Sequence, residues 1–332
     1  MKHSATAVEL HRRSIIIDGL NISRWSDAEV YRHLHQGGVT AINASLAVWE
    51  GTKQTMQSIG CFYRDFDTYH KLIRPVTCIE DIHAAKREDR VGIIFGFQNS
   101  SPIEDDLNLV EVFYRLGVRV IQITYNDLNY AGAGCYERND VGLSQFGVDL
   151  VKEMNRLGMV IDLSHVGYRT TMEAIEVSEQ PVWFSHANPM ALREHCRNKT
   201  DEQVKSLVDK GGVVGANIFP PFLKREYDST LEDFLDVIDH WVQVAGIDQV
   251  AIGLDFTENQ SEEWFHWLMA GKRKDSTVYP LTLPLKLPTD ITRSDEWPNI
   301  TAGLLQRAYS EEDVQKICGL NVLRLFEKVW KG

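Results

Sequence analysis

Short runs of β-branched and apolar residues alternate with longer amphipathic stretches along most of this chain. The apolar runs at 15–18, 41–48, 92–97, 118–124, 160–164, 182–185, 213–217 and 250–254 predict strands. The stretches at 107–116, 146–157, 170–177, 202–210 and 231–245 predict helices. Helix entries carry capping chemistry: Thr200-Asp-Glu-Gln203 and Ser310-Glu-Glu-Asp313 each put a side-chain acceptor at the N-cap and an acid or amide three residues on. Gly117 and the pair Gly211-Gly212 stop the helices before them.

Eight predicted strands alternating with helices over 332 residues favour a (β/α)8 TIM barrel over an open doubly wound sheet. No Gly-x-Gly-x-x-Gly follows the first strand, which weighs against a dinucleotide-binding fold. There is no short-period repeat and no low-complexity linker, so one domain over 1–332 is expected. The stretch 264–295 differs in texture, mixing Lys, Pro and Thr with little periodicity. We expect residues 260–298 to form an excursion after the eighth strand, packed over the barrel mouth.

Composition narrows the partners. The chain is 43% hydrophobic and 25% charged, as expected of a globular protein, with a formal net charge of −12. That balance argues against nucleic acid or an anionic membrane surface as a partner. The five cysteines, Cys61, Cys78, Cys135, Cys196 and Cys318, are scattered without Cys-x-x-Cys pairing, which argues against a disulfide framework or structural zinc and fits a reducing compartment. The polar stretch from Met1 to Arg13 has no apolar core, and no run approaches the roughly 18 apolar residues of a membrane span. A cytoplasmic location is expected.

In a barrel the reactive groups stand at the C-terminal ends of the strands. Two successive predicted strands end in histidine, Asp-Leu-Ser-His165 and Trp-Phe-Ser-His186, and the last ends in Gly-Leu-Asp255. A single histidine after a strand is commonly a hydrogen-bonded core or loop residue. Two on successive strands, with an aspartate on the last, suit a metal ion and a proton-handling carboxylate. The other strand ends deliver Leu20, Asn21 and Ile22, then Trp49 and Glu50, then Gln98 and Asn99. The fourth delivers the long polar loop from Tyr125 and Asn126 through Cys135 to Glu137. The remaining histidines, His195 among them, fall in predicted helices, loops or the tail and read as surface or structural. A lone cysteine such as Cys135 after a glycine-rich turn is usually a small buried side chain; a nucleophilic role would need a base, for which His165 is the evident candidate.

From Asp18-Gly19 through Asp-Leu-Ser-His165, Ser-His186, Arg197-Asn198 and Gly-Leu-Asp255-Phe256, essentially the whole chain resembles the membrane (renal) dipeptidase family, peptidase family M19 of the amidohydrolase superfamily. The resemblance implies a (β/α)8 barrel holding two zinc ions and hydrolysing dipeptides, including ones with a C-terminal D-residue, commonly as a homodimer. It implies that His165 and His186 hold a metal, that Arg197 pairs with the substrate carboxylate, and that Asp255 handles the proton. The departures are definite. Leu20 and Ile22 stand where the family has a His and an Asp ligand, Gln98 replaces the bridging glutamate, and Tyr125 replaces a histidine that faces the substrate carbonyl. A second metal site is therefore expected to be lost.

Two accounts remain open. In one, a single divalent ion, zinc by ligand type, sits on His165 and His186, completed by Asp255 or by Cys135 or Glu137. Asp255 and Tyr125 then act as catalytic groups on a dipeptide-like substrate with a free carboxylate, bound by Arg197, Gln98 and Asn126. In the other, no metal binds and the barrel is repurposed to hold a small metabolite.

Overall fold

The computed structural model describes residues 3–273, 277 and 279–331. Met1 and Lys2 of the polar N-terminal stretch, and residues 274–276 and 278 of the expected excursion, lie outside the described residues, as does Gly332. Among the described residues nine parallel strands form one sheet: β1 (Ile17–Asn21), β2 (Ala41–Ser45), β3 (Ile73–Val76), β4 (Val91–Phe97), β5 (Val118–Gln122), β6 (Val160–Asp162), β7 (Trp183–Phe184), β8 (Val213–Ala216) and β9 (Val250–Ile252). Their order is β1-β2-β4-β5-β6-β7-β8-β9, with β3 paired to β4. The ring closes where the Asp255 N–H donates to Leu20 O and the Ile22 N–H donates to Phe256 O, each at 2.9 Å. Eight strands with helices between them thus make the (β/α)8 barrel.

The strand β3 was not expected. Its four residues include Pro75, which cannot donate to a ladder, so the segment lacks a strand signature. It lies along the first half of β4, from Ile73 beside Val91 to Val76 beside Ile94, while β5 takes over from Phe95 onward. The first strand also sits a few residues later than its apolar run, and β7 is two residues long.

Period-two alternation explains the layering. Ile17, Ala41, Ile94, Val120, Val160, Trp183, Val213 and Ala251 fill the lower barrel, closed from below by Val322, Leu325, Phe326 and Trp330 at the chain's end. Neighbouring strand positions such as Ile42, Ile93, Ile121, Ile161, Phe184 and Val214 face the helices in the main core. Truncating Phe326, which is fully buried, to Ala would cost about 3–5 kcal/mol. At the upper end, two glycines make room for the chain that carries His186: a Cβ at Gly215 or at Gly253 would lie 2.1 Å or 2.0 Å from Ser185 O.

The helix at Leu231–Ala245 matches its periodicity, and Asp233 Oδ2 accepts from the Thr230 N–H at its start at 2.7 Å. The expected box at Thr200 also forms, Thr200 Oγ1 accepting from the Gln203 N–H while Gln203 Oε1 accepts from the Thr200 N–H. After β9 the chain forms a helix at Glu262–Ala270, and a third apolar cluster at the mouth joins Leu268 and Tyr279 to Ile22, Val48, Trp49 and Tyr125.

Candidate active site

His165 and His186, three and two residues past the ends of β6 and β7, face each other with Nε2 to Nε2 at 3.0 Å. The Nδ1 of each is already engaged. His165 Nδ1 donates to Asn126 Oδ1 at 2.7 Å. The Ser185 hydroxyl donates to Asp162 Oδ2 at 2.6 Å, so it accepts from His186 Nδ1 at 2.6 Å. With both Nδ1 atoms acting as donors, each Nε2 presents a lone pair to the same point. Burial, reinforced by the Arg197 cation, holds both imidazoles well below the usual histidine range and so neutral.

Asp162 anchors this arrangement. Its Oδ1 accepts from the Ser164 hydroxyl at 2.6 Å and from the Ser164 and Ser185 N–H groups at 3.0 and 3.1 Å. The Ser164 hydroxyl oxygen in turn accepts from the His186 N–H at 3.1 Å. The Asp-Leu-Ser-His and Ser-His motifs thus carry the support for the histidines in the same few residues as the histidines themselves.

The remaining expected residues divide. Gln98 lies beside the pair, its Nε2 donating to His186 Nε2 at 3.4 Å, while its buried Oε1 has no partner among the described residues. Tyr125 stacks on His165 with ring centroids 4.1 Å apart, and its hydroxyl lies 3.0 Å from that of Tyr279. Asn126 and Asp255 both hold left-handed backbones, φ 60° each, which Asn and Asp tolerate better than other side chains do. Burial pushes the Asp255 carboxyl up to about 6 against the opposing Arg197 cation, and Asn217 Nδ2 lies 3.5 Å from its Oδ2.

Arg197 is buried and clamps the two strand ends, Nη1 donating to Ser164 O and Nη2 to His186 O, both at 2.7 Å. Each Nη keeps a second N–H. Buried Lys199, which the sequence did not single out, donates from Nζ to Val166 O at 2.6 Å, and burial pushes it down to about 7. Tyr279, Asp162, Ser164 and Ser185 were likewise missed. Tyr279 gives no periodic signal, whereas the other three stood in the quoted motifs.

Two expectations for the loop after β5 give way. Glu137 turns back on its own loop, accepting from the Leu128 N–H at 3.1 Å and the Arg138 N–H at 2.9 Å. Cys135 does not meet His165 as a base, because Asn126 Oδ1 stands between them and accepts from both, from the thiol at 3.5 Å. Burial also pushes that thiol up, keeping it protonated. Glu50 likewise folds onto the Val48 and Trp49 N–H groups.

Two imidazole nitrogens bound to one tetrahedral ion would lie roughly 3.3 Å apart, close to the 3.0 Å found here. Two converging lone pairs repel one another without a cation, so the pair fits one ion. Among the described residues no group of three or more His, Cys, Asp or Glu side chains gathers into a larger ligand set. Buried Leu20 and Ile22 and neutral Gln98 leave a second ion without anchors.

The space beside the histidines is small. A cavity of about 10 Å³, lined by Ile22, Gln98, Tyr125, His165, Asp255 and Tyr279 among others, is close to the room one water needs. Beyond Tyr125 opens a cleft of about 450 Å³, walled by Trp49, Asn99, Glu104, Asn129, Tyr130 and Lys272.

Comparison with known proteins agrees with this fold. Residues 3–267 match the family model described as membrane dipeptidase (peptidase family M19). The chain is 31% identical over 284 residues to an uncharacterized dipeptidase of Schizosaccharomyces pombe, covering 83% of this chain and 62% of that one. It is 29% identical over 280 residues to the dipeptidase tcpJ of Claviceps purpurea, covering 83% and 60%. The chain therefore spans less than two thirds of the length of these relatives. Among solved structures, an amidohydrolase from Pseudomonas aeruginosa is 41% identical with a TM-score of 0.95, over 98% of this chain and 99% of that one. A Rhodobacter sphaeroides metallo peptidase liganded with a phosphinate mimic of L-Ala-D-Ala shares the fold, at 19% identity and a TM-score of 0.81, over 96% and 100%.

Proposed function

The chain belongs to the membrane dipeptidase family, peptidase family M19, and from that premise we propose that it hydrolyses a small dipeptide-like amide with a free carboxylate, using at most one divalent cation. The observation that carries this reading is the convergence of two neutral Nε2 atoms whose Nδ1 partners are fixed. His165 and His186 would hold the ion, zinc by ligand type, and it would supply Lewis acidity at the point they share.

The chain's own groups do the rest. Asp255, pushed up to about 6, exchanges a proton near neutral pH. It takes one from the attacking water and returns it to the leaving amine. The Tyr125 hydroxyl donates to the developing oxyanion once it leaves Tyr279. N–H groups of Arg197 not spent on Ser164 O and His186 O receive the substrate carboxylate, and Gln98 and Asn126 border it. The whole chain acts as one domain, with the described residues of the 260–298 excursion shielding the mouth. No helix among the described residues is long and apolar enough to cross a membrane. The five free thiols suit the cytoplasm, where we place this activity.

A second reading rests on the narrowness of the inner cavity: a barrel that binds a small metabolite in the outer cleft without metal. Metal analysis of protein loaded with zinc and freed of excess, paired with a dipeptide panel, separates the two. Hydrolysis with about one equivalent bound supports the hydrolase. Under ~0.2 equivalents with no turnover assigns the barrel to binding.

A further inference from the structure

Cys135 and Cys196 are 61 residues apart in the chain, in the loops after β5 and β7. The fold packs those loops together. The Tyr136 hydroxyl lies 3.4 Å from His195 Nε2, with ring centroids 5.8 Å apart, so the residue after one cysteine rests on the residue before the other. The two thiols lie next to each other. Cys135 is held in place by its N–H, which donates to His165 O at 2.8 Å, and by the bridge between Gly134 and Val166. Cys196 is exposed to solvent and Cys135 half-buried. The proposed hydrolysis uses neither thiol.

An exposed thiol backed by a second, sheltered thiol has the makings of a redox pair: one sulfur attacks and the other resolves. We propose that Cys135 and Cys196 form a reversible disulfide at the rim of the site, a modification site for low-molecular-weight disulfides. The Cys196 thiolate attacks one sulfur of the reagent RSSR. An S–S bond forms to Cys196, the reagent's own S–S bond breaks, and RS⁻ leaves and takes up a proton. Cys135 then gives its proton to solvent and attacks the Cys196 sulfur, expelling a second thiolate. Two protein thiols are oxidised by two electrons and RSSR is reduced to two RSH. The neighbouring Cys135 thiol and the adjacent Arg197 cation bring the Cys196 thiol down to about 7, so the attacking form is well populated at neutral pH. Oxidation would withdraw the Cys135 thiol from Asn126 Oδ1, leaving that oxygen to His165 alone, and would tie the loop of Asn126 to the loop of Arg197.

The test treats the full chain in a Cys61→Ala background, which removes a second exposed thiol, with oxidised glutathione. Non-reducing peptide mapping should join the Cys135 and Cys196 peptides, with the intact mass lower by two hydrogens and restored by dithiothreitol. In Cys135→Ser, Cys196 should stop at the glutathione mixed disulfide. A Cys196 mixed disulfide that persists with Cys135 intact, or a Cys196 that does not react, overturns the proposal.

Discussion

Asp18 Oδ1, inside β1, accepts the Leu254 N–H at 2.8 Å and so fastens the two ends of the sheet where the barrel closes. The same oxygen accepts the Leu20 N–H at 3.3 Å. Burial outweighs these bonds and pushes the Asp18 carboxyl up to about 7. Its folded value is above its unfolded one, so between about pH 4 and 7 the native state holds a proton that the unfolded state has lost. Stability from this group therefore falls as pH rises through that window, by about 1.4 kcal/mol per pH unit where the difference is a full proton. Asp18→Asn keeps an acceptor for Leu254 and removes the titration. Thermal unfolding of both proteins from pH 5 to 8 should show the variant gaining on the wild type as pH rises; parallel curves would refute it.

Asp255 makes a separate prediction for turnover. As the proposed base for the attacking water it must be ionised, so kcat/KM should fall as pH drops through about 6. Asp255→Asn removes that base and should lower kcat about 10²–10⁴-fold, while the Tm at neutral pH should be no lower than the wild type's, since the variant also removes a carboxyl that burial disfavours. A wild-type profile flat from pH 5 to 8, or an Asn variant with full activity, would remove Asp255 from the proton path.

How much of this was legible in the chain depends on the range of the signal. The helix at Leu231–Ala245 was readable to the residue because its apolar period is local. His165 and His186 were readable as neighbours because parallel strands deliver their C-terminal ends to one rim. The strand β3 was not, since Pro75 interrupts a four-residue segment that holds only by leaning on β4. Tyr279 reaches Tyr125 across 154 residues, and Cys196 meets Cys135 through two loops; no periodicity encodes either contact. Asp162 and Ser185 were in view throughout, yet a motif names residues and not the direction of a hydrogen bond.

That direction is testable at Ser185. Its hydroxyl is the sole listener for the His186 Nδ1 proton among the described residues and relays it to Asp162. In Ser185→Ala the imidazole loses the bond that fixes its tautomer, and Asp162 loses one of its donors. Zinc affinity, measured by competition with a chromophoric chelator, should drop about 10–100-fold. Ser185→Thr, which keeps the hydroxyl, should recover most of it. Equal affinity in the wild type and the Ala variant would show that His186 is oriented by packing alone.

The absence of anchors for a second ion gives the last prediction. Gln98→Glu places a carboxylate in a buried position beside His186, while Leu20 and Ile22 offer no ligand to a further cation. A buried carboxylate without a partner costs several kcal/mol unless it takes up a proton. The single variant should therefore bind no more than about one zinc and unfold at a lower temperature, most clearly above neutral pH where the new carboxyl must ionise. Adding Leu20→His and Ile22→Asp supplies an imidazole and a second carboxylate at the end of β1, next to where β9 closes the ring. The triple variant should then take up about two equivalents and regain stability when metal is present. Metal analysis and calorimetry with and without chelator read both effects. Two ions on Gln98→Glu alone would mean that β1 never was the limiting side of the site.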